Sequence, residues 1–573
     1  MTPLQPRPAS WLAPGYALLL TLAVTAPLLA PGYLLLRDAV STPRSYLSDA
    51  ALGLSEAAPR ALPQDFAVAV GTAIVDGGLL VKGLVMAGLF LAGWGAARLA
   101  AVVLPDSGRP GQVVATTMAV WNPYVAERLL QGHWSLLVGY GCLPWVAVAV
   151  IRLRTGPSQQ GGLAEWAAVV FWIALAGLTP TGLLLAATVA LVCVGVPGVG
   201  ASRIRCAAWC SGTAVLAATP WLVAPALSNA LHSLPSSGLA PFAARAEPGL
   251  GALGSLAGLG GIWNVEAVPH SRTTLFALLA TTILLAVVAC GAPAALRSRQ
   301  AEPLLILAVV AVLVPAALAT APGQALLRVL VDASPGLGVL RDGQKWVACA
   351  MPGYALAGAG AVVTLRRWVR PAVAALLCAT ALIAALPDLA WGVWGALRPA
   401  HYPPGWTAVA TSLNETSETP AVAVLPADIM RQFAWAGPAP VLDPLPRWVR
   451  ADVLSTGDLT VAGTPVPGEG SHARAVQDML LAGATPAALA EAGVGWVVVE
   501  NGTPGITGLA LRTLRQLPAV YRDGDIALYR VGGTSAPIPA RERLTMIIAH
   551  LVWAGLLVGS AVVLAVRRRC GRP

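Results

Sequence analysis

Twelve stretches of this chain are too long and too apolar to be elements of an ordinary soluble domain: 15–36, 78–104, 111–127, 134–152, 163–178, 182–199, 206–226, 272–292, 303–320, 346–365, 371–392 and 544–566. A helix needs about 20 mostly apolar residues to cross a bilayer, so each reads as a candidate span. The 111–127 stretch is short and polar at its end. It reads also as a half-helix or re-entrant segment, which is tolerated where it lines a cavity. The run at 15–36 has no clear cleavage site and reads as a span rather than a removable signal. Composition points the same way. Of the 573 residues 56% are hydrophobic and 11% charged, where a soluble protein carries about 25% charged residues. The expected fold class is an α-helical polytopic membrane protein with about 12 TM helices.

The arginines orient it. Arg7, Arg98, Arg109, Arg152, Arg154, Arg203, Arg205, Arg297, Arg299, Arg366, Arg367, Arg370 and the run Arg567-Arg568-Arg569 fall in alternate, short connections. Lys/Arg bias on short loops marks the cytoplasmic side. Both termini are therefore expected in the cytoplasm, and the longer loops 37–65, 121–133, 227–271 and 321–345 outside. An apolar stripe at Phe66, Val70 and Ile74 suggests a helix lying on the interface. The formal net charge of +10 is explained by these topogenic arginines, and no nucleic-acid motif accompanies it, so no nucleic-acid partner is expected. The chain has only two lysines, Lys82 and Lys345, and abundant Ala, Gly, Pro and Val. That composition suits a G+C-rich bacterial genome and a bacterial plasma membrane. None of the eight cysteines lies between 392 and 540, so no disulfide framework is expected there.

From 401 to 536 polar and turn residues rise. Short strand-like runs appear at Ala421 to Leu425, Trp496 to Glu500 and Ile526 to Val531, with helix-like stretches at Ala473 to Leu481 and Pro486 to Ala492. This reads as a small extracytoplasmic α/β domain. The domain expectation is residues 1–400 as the transmembrane part, 401–540 as the α/β domain, and 541–573 as a last TM helix with a basic cytoplasmic tail.

Charged groups close to a membrane are costly unless paired or wet, which makes them functional candidates. Asp38 follows an apolar run and would be partly desolvated, a setting that makes a carboxylate a usable base. Arg37 or Arg44 could hold it ionised. Trp121-Asn122-Pro123-Tyr124 is a turn signal, followed by Glu127, Arg128, Gly132, His133 and Trp134. The run Leu340-Arg341-Asp342-Gly343-Gln344-Lys345-Trp346 precedes the tenth apolar stretch. A helix N-terminus with Arg341 and Lys345 suits a phosphate group. His270 lies near Trp263, Asn264 and Glu266, a mixture that suits sugar contact or a structural role.

Together these pieces resemble the GT-C superfamily of polytopic glycosyltransferases that use polyprenyl-phosphate sugars, and among them the actinobacterial members. The resemblance rests on the first-loop acid in Leu36-Arg37-Asp38-Ala39-Val40, the Trp121 to Trp134 segment, the Leu340 to Trp346 run and the α/β domain near the C-terminus. It implies a GT-C-like fold, an inverting transfer, Asp38 as base toward the acceptor hydroxyl, and Arg341 and Lys345 at the donor phosphate. Arg37, Arg44, Asn122, Glu127, Arg128, His133 and His270 are the candidate substrate-binding residues. Its members often carry two acids near the first-loop position. Here only Asp38 is adjacent, which leaves a divalent metal requirement open. No metal site is predicted, because no close His/acid spacing supports one, and no other cofactor is expected.

The sequence thus reads as a membrane glycosyltransferase acting at the outer face of the bilayer. It would move a sugar from a polyprenyl-phosphate sugar donor to a cell-envelope glycan or glycolipid acceptor, in cell wall biogenesis. The competing readings are a transporter or flippase for a lipid-linked or anionic solute and a non-catalytic envelope-assembly scaffold. A transporter needs polar groups at mid-membrane and usually internal repeats, whereas the polar residues here gather at one face.

Overall fold

The computed structural model describes residues 11–55, 61–156, 162–228, 238–416, 420–461 and 463–570. Arg7, residues 56–60 of the first loop and residues 229–237 of the third lie outside them. Among the described residues six helices are long and apolar enough to cross a membrane: Leu12–Leu29, Gly77–Val103, Trp134–Thr155, Phe276–Ala295, Gly343–Leu365 and Ala540–Arg567. Three further candidates are bent pairs: Arg203–Ala217 with Thr219–Leu227 (48°), Glu302–Leu318 with Ala321–Ala333 (91°), and Pro371–Ala384 with Pro387–Gly395 (75°). Two shorter apolar helices, Leu163–Ala176 and Pro180–Val194, complete the bundle. The chain is a multi-pass membrane protein, with six to nine helices of spanning length among the described residues where the sequence shows twelve apolar runs. The 111–127 run is two helices. Gly108–Val120 stops at Trp121, and Pro123–Gln131 starts anew with Asn122 as its cap.

Small residues set how closely the helices approach. A Cβ on Gly141 would stand 2.2 Å from the carbonyl oxygen of Gly88, and one on Gly291 would stand 1.7 Å from that of Ala357. These contacts bring Gly77–Val103 against Trp134–Thr155 and Phe276–Ala295 against Met351–Leu365 backbone to backbone.

The first apolar run does not stay helical to residue 36. Pro27, Pro31 and Gly32, whose φ is +111°, end the helix. Tyr33–Leu36 is a strand, β1, antiparallel both to β2 (Ala39–Val40) and to β3 (Pro399–Ala400) in the order β2-β1-β3. Leu35 and Val40 are buried in one core with Trp406, Phe433, Val441 and Leu528. What reads in sequence as the lipid-facing end of a span is therefore covered by the α/β region.

That region carries β4 (Ala421–Leu425), β5 (Met430–Arg431), β6 (Val441–Leu442), β7 (Leu459–Val461), β8 (Thr464–Val466), β9 (Val494–Glu500), β10 (Ala519–Arg522) and β11 (Ile526–Arg530). Its four-stranded sheet has the order β10-β11-β9-β4, with β4 parallel to β9. The crossover between them contains the helices Ser471–Leu481 and Pro486–Glu491. Alternate side chains leave opposite faces of a strand. Val422, Trp496 and Val498 accordingly join the core with Trp406, while Ala423, Leu425 and Val497 pack on Val476, Leu480 and Leu489. The buried Arg431 guanidinium is paired with Glu500 and lies 3.6 Å from Asp443. Arg543 of the last long helix reaches Asp49 of the first loop, with Nε to Oδ1 at 2.7 Å.

The Gly291 contact carries its own test. Gly291→Val places side-chain atoms where the Ala357 carbonyl stands, and overpacking of this kind costs about 1–3 kcal/mol. The melting temperature of the detergent-solubilised variant is expected to fall by several degrees. An unchanged melt would show that the two helices separate freely.

Candidate active site

One cavity of about 860 Å³ lies between the bundle and the α/β region. Arg37, Asp38, Gln131, His133, Arg245, Trp263, Asn264, Arg341, Asp342 and Lys345 line it from the bundle's loops, and Asp428, Arg447, Thr460 and Glu469 from the α/β region. Asp38, His133, Arg341 and Lys345, which lie far apart in sequence, thus share one space.

The turn at Arg37-Asp38 is clamped from three sides. The Arg37 N–H donates to Pro440 O (2.8 Å), and its carbonyl accepts from Leu442 N (2.9 Å), both in the α/β region. Its guanidinium donates to Leu130 O and to Glu266 O, each at 2.7 Å. Asp38 N donates to Gln131 O at 3.1 Å. Gly132, with φ +82°, closes the helix Pro123–Gln131 directly beneath. A Cβ there would stand 2.3 Å from Ala39 N and 2.4 Å from Leu36 O, so only glycine fits.

The carboxylate is held through one oxygen. Asp38 Oδ2 meets His133 Nε2 at 2.8 Å and accepts from Gln131 Nε2 at 3.2 Å. Gln131 is in turn fixed by Asn264, whose Nδ2 donates to Oε1 at 2.8 Å. Among the described residues nothing bonds Asp38 Oδ1, and the side chain is 36% exposed into the cavity. Burial pushes the Asp38 carboxyl up, but the His133 hydrogen bond, Gln131 and the Lys345 charge outweigh it and hold it below the ordinary carboxylate range. The Arg37 charge also favours the ionised form, whereas Arg44 is turned elsewhere.

Behind His133 lies a buried ionic layer. Arg128 is fully buried and grips Asp342 bidentately, Nη1 to Oδ2 at 2.9 Å and Nη2 to Oδ1 at 3.0 Å. Its Nη1 also meets His133 Nδ1 at 3.0 Å, and its Nη2 donates to Gln344 Oε1. Lys345 Nζ lies 3.7 Å from the same Asp342 carboxylate. Burial raises Asp342, but Arg128 and Lys345 draw it well below the carboxylate range. Glu127 sits one layer deeper. It accepts from the amides of Gly261 (3.2 Å) and Ile262 (3.0 Å) and from Gln344 Nε2 (3.0 Å). Burial and the neighbouring Glu247 push its carboxyl up to about 8.

The other sequence candidates are placed differently. Asn122 is fully buried; its Oδ1 caps Val125 N at 3.1 Å, and its Nδ2 donates to Met118 O, Ala119 O and Tyr140 Oη. Its amide is used up in ending one helix and starting the next, so it is no substrate contact. Arg44 turns to Ala69 O (3.1 Å) and Thr72 Oγ1 (3.2 Å), outside the cavity wall. His270 is exposed and also outside that wall. Glu127 and Arg128 support the site from beneath and do not line it.

Arg245 carried no signal in the sequence, being one arginine in a long loop. It lines the cavity, and its Nε and Nη2 are buried with no hydrogen-bond partner among the described residues. The Arg341 guanidinium lies over the Phe242 ring at 4.2 Å, and Phe242 meets Trp263 edge to face at 4.6 Å. Arg245, Arg341 and Lys345 make this wall cationic. Among the described residues no group of three or more His, Cys, Asp or Glu is arranged to hold a metal ion.

No protein-family model and no curated protein matches the sequence. Among solved structures the chain is similar to the arabinofuranosyltransferase AftD from mycobacteria, with 18% identity and a TM-score of 0.58 over 92% of this chain. The match covers 40% of AftD, so this chain spans well under half of that protein's length. The oligosaccharyltransferase of Archaeoglobus fulgidus aligns over 85% of this chain and 68% of its own, at 13% identity and a TM-score of 0.37, too distant to carry an argument. The AftD likeness is one of fold.

Asp342→Asn would leave Arg128 buried without its counter-charge, a loss of about 3–5 kcal/mol. The folded Asp342 carboxyl is depressed, so its contribution is complete above the ordinary value of about 3.9 and is lost as pH falls through the folded one. The variant is therefore expected to melt below the parent by the same margin from pH 5 to 8 and to close the gap in acid. A gap that changed between pH 6 and 8 would contradict the assignment.

Proposed function

We propose that this chain is a membrane glycosyltransferase that moves a sugar from a polyprenyl-phosphate donor to a glycan or glycolipid acceptor. The single observation that carries the reading is the division of one cavity: a carboxylate with an open oxygen, Asp38 Oδ1, and a separate cationic wall of Arg245, Arg341 and Lys345. The AftD fold agrees with it.

In this reading the acceptor hydroxyl lies against Asp38 Oδ1. The carboxylate takes its proton as the oxygen attacks the anomeric carbon, and the bond from that carbon to the donor phosphate oxygen breaks. The leaving polyprenyl phosphate carries its negative charge onto Arg245, Arg341 and Lys345, whose donors are already in place. Attack from the side opposite the phosphate inverts the anomeric centre. Asp428, Thr460, Glu469 and Asn264 supply the polar wall on the acceptor side. The cavity and the α/β region then face the outside of a bacterial plasma membrane, with both termini in the cytoplasm.

Purified protein incubated with radiolabelled polyprenyl-phosphate sugars and an acceptor glycan tests the reading. Asp38→Asn is expected to lower turnover by about 10³-fold or more, within the range known for a lost general base, with folding intact; full activity would sink the assignment. Arg245→Ala and Lys345→Ala are each expected to raise the donor KM about 10-fold, the loss of one charge-assisted contact. Unchanged donor kinetics in both would remove the phosphate wall.

A further inference from the structure

We infer that His133 is a positioning residue. Arg128 locks its ring as the neutral Nε2–H tautomer, so that it gives one hydrogen bond to Asp38 Oδ2 and leaves Oδ1 to act. The inference rests on the reading of Asp38 as the base.

Donors and acceptors decide the tautomer. A guanidinium carries N–H donors only. Arg128 Nη1 stands 3.0 Å from His133 Nδ1, so Nδ1 is the acceptor and carries no proton. The ring's proton is then on Nε2, which donates to Asp38 Oδ2 at 2.8 Å. A second proton on Nδ1 would set one N–H against another. Arg128 cannot turn aside to allow it. Both of its terminal nitrogens are on Asp342, Nη2 is also on Gln344, and the side chain has no exposure.

The charges around the ring act in the same direction. Facing it are Asp38 from the first loop, Arg128 from the helix Pro123–Gln131, Asp342 just before the helix Gly343–Leu365 and Lys345 in its first turn. Burial, Lys345 and Arg128 disfavour an imidazolium more than Asp38 favours one, which leaves the ring below the ordinary histidine range. A His–Asp pair at this distance invites comparison with a proton relay, in which the histidine takes the substrate's proton. Here the ring's one basic nitrogen is turned to a buried arginine, so within the His133–Asp38 pair it is Asp38 Oδ1 that can take the acceptor's proton. Asp342 serves both ends, since the carboxylate that fixes Arg128 also faces Lys345 Nζ at 3.7 Å. One buried anion thus sets the spacing between the base and the phosphate wall.

Glutamine can imitate the locked tautomer, because its carbonyl accepts from Arg128 while its amide donates to Asp38. His133→Gln is expected to keep kcat within about 10-fold of the parent, whereas His133→Ala loses about 100-fold in kcat with the donor KM moved less than about 3-fold, as expected for a lost hydrogen bond to a charged group. The kcat of both the parent and His133→Gln should show no acid limb near pH 6.5, the ordinary histidine value. Glutamine no better than alanine, or an acid limb near that pH that disappears in His133→Gln, would overturn the inference. Asp38→Asn separates the two levels. If it is inactive while His133→Gln behaves like His133→Ala, this inference alone falls. If it is fully active, the reading of the base falls with it.

Discussion

The bidentate pair between Arg128 and Asp342 joins residues 214 positions apart and is almost wholly buried, Asp342 alone touching the cavity. Everything that makes the cavity more than a gap between helices is hung on it. Arg128 presents its remaining donor capacity to His133 and Gln344, and Asp342 its remaining field to Lys345. An isolated buried charge is strongly unfavourable, and a pair is tolerated only when its geometry and its remaining hydrogen bonds are complete. Here they nearly are, Arg128 Nε being left without a partner. The consequence is a rigid cavity wall. Asp38, the His133 ring and Lys345 are held by side chains that cannot relax independently.

The cavity combines two surfaces of different origin. The loops of the bundle supply cations and aromatic rings, with Arg341 over Phe242 and Phe242 against Trp263. The α/β region supplies the carboxylates of Asp428 and Glu469 and the Thr460 hydroxyl, together with one cation, Arg447. The first loop belongs to both surfaces. Its strand β1 is paired with β3, its Arg37 backbone is bonded to Pro440 and Leu442, and its Asp38 is bonded to Gln131 of the bundle.

Much of the bundle was legible because lipid demands length and absence of charge, and both can be counted. The strands at 421–425, 494–500 and 526–530 were legible as short, nearly continuous apolar runs, because both faces of their sheet are buried. The strand at Tyr33–Leu36 was not. A protein core and a bilayer accept the same leucines, and only the partner at Pro399–Ala400 tells them apart. The acid at 38 and the pair Arg341 and Lys345 stood out as charge at the ends of apolar runs, and they do share one cavity. Asn122 stood out for the same reason and turned out to be a helix cap, because a polar side chain that satisfies backbone looks in sequence like one that awaits a ligand. Arg44, His270 and Arg245 differ only in what surrounds them. No spacing rule reports that, and the contact between His133 and Asp38 follows no spacing rule either.

The pairing of β1 with β3 also bears on how the protein comes into being. Tyr33 leaves the ribosome long before its partner Ala400, and longer still before Leu442, whose amide closes on the Arg37 carbonyl. Chains are made from the N-terminus, and earlier parts fold while later ones are still being synthesised. The helices can enter the bilayer in order, but the turn that carries Asp38 has no fixed shape until the α/β region has been made and has folded onto it. The protein therefore fixes the Asp38 turn last, as a by-product of completing its assembly. A truncated or stalled chain occupies the membrane without a formed site.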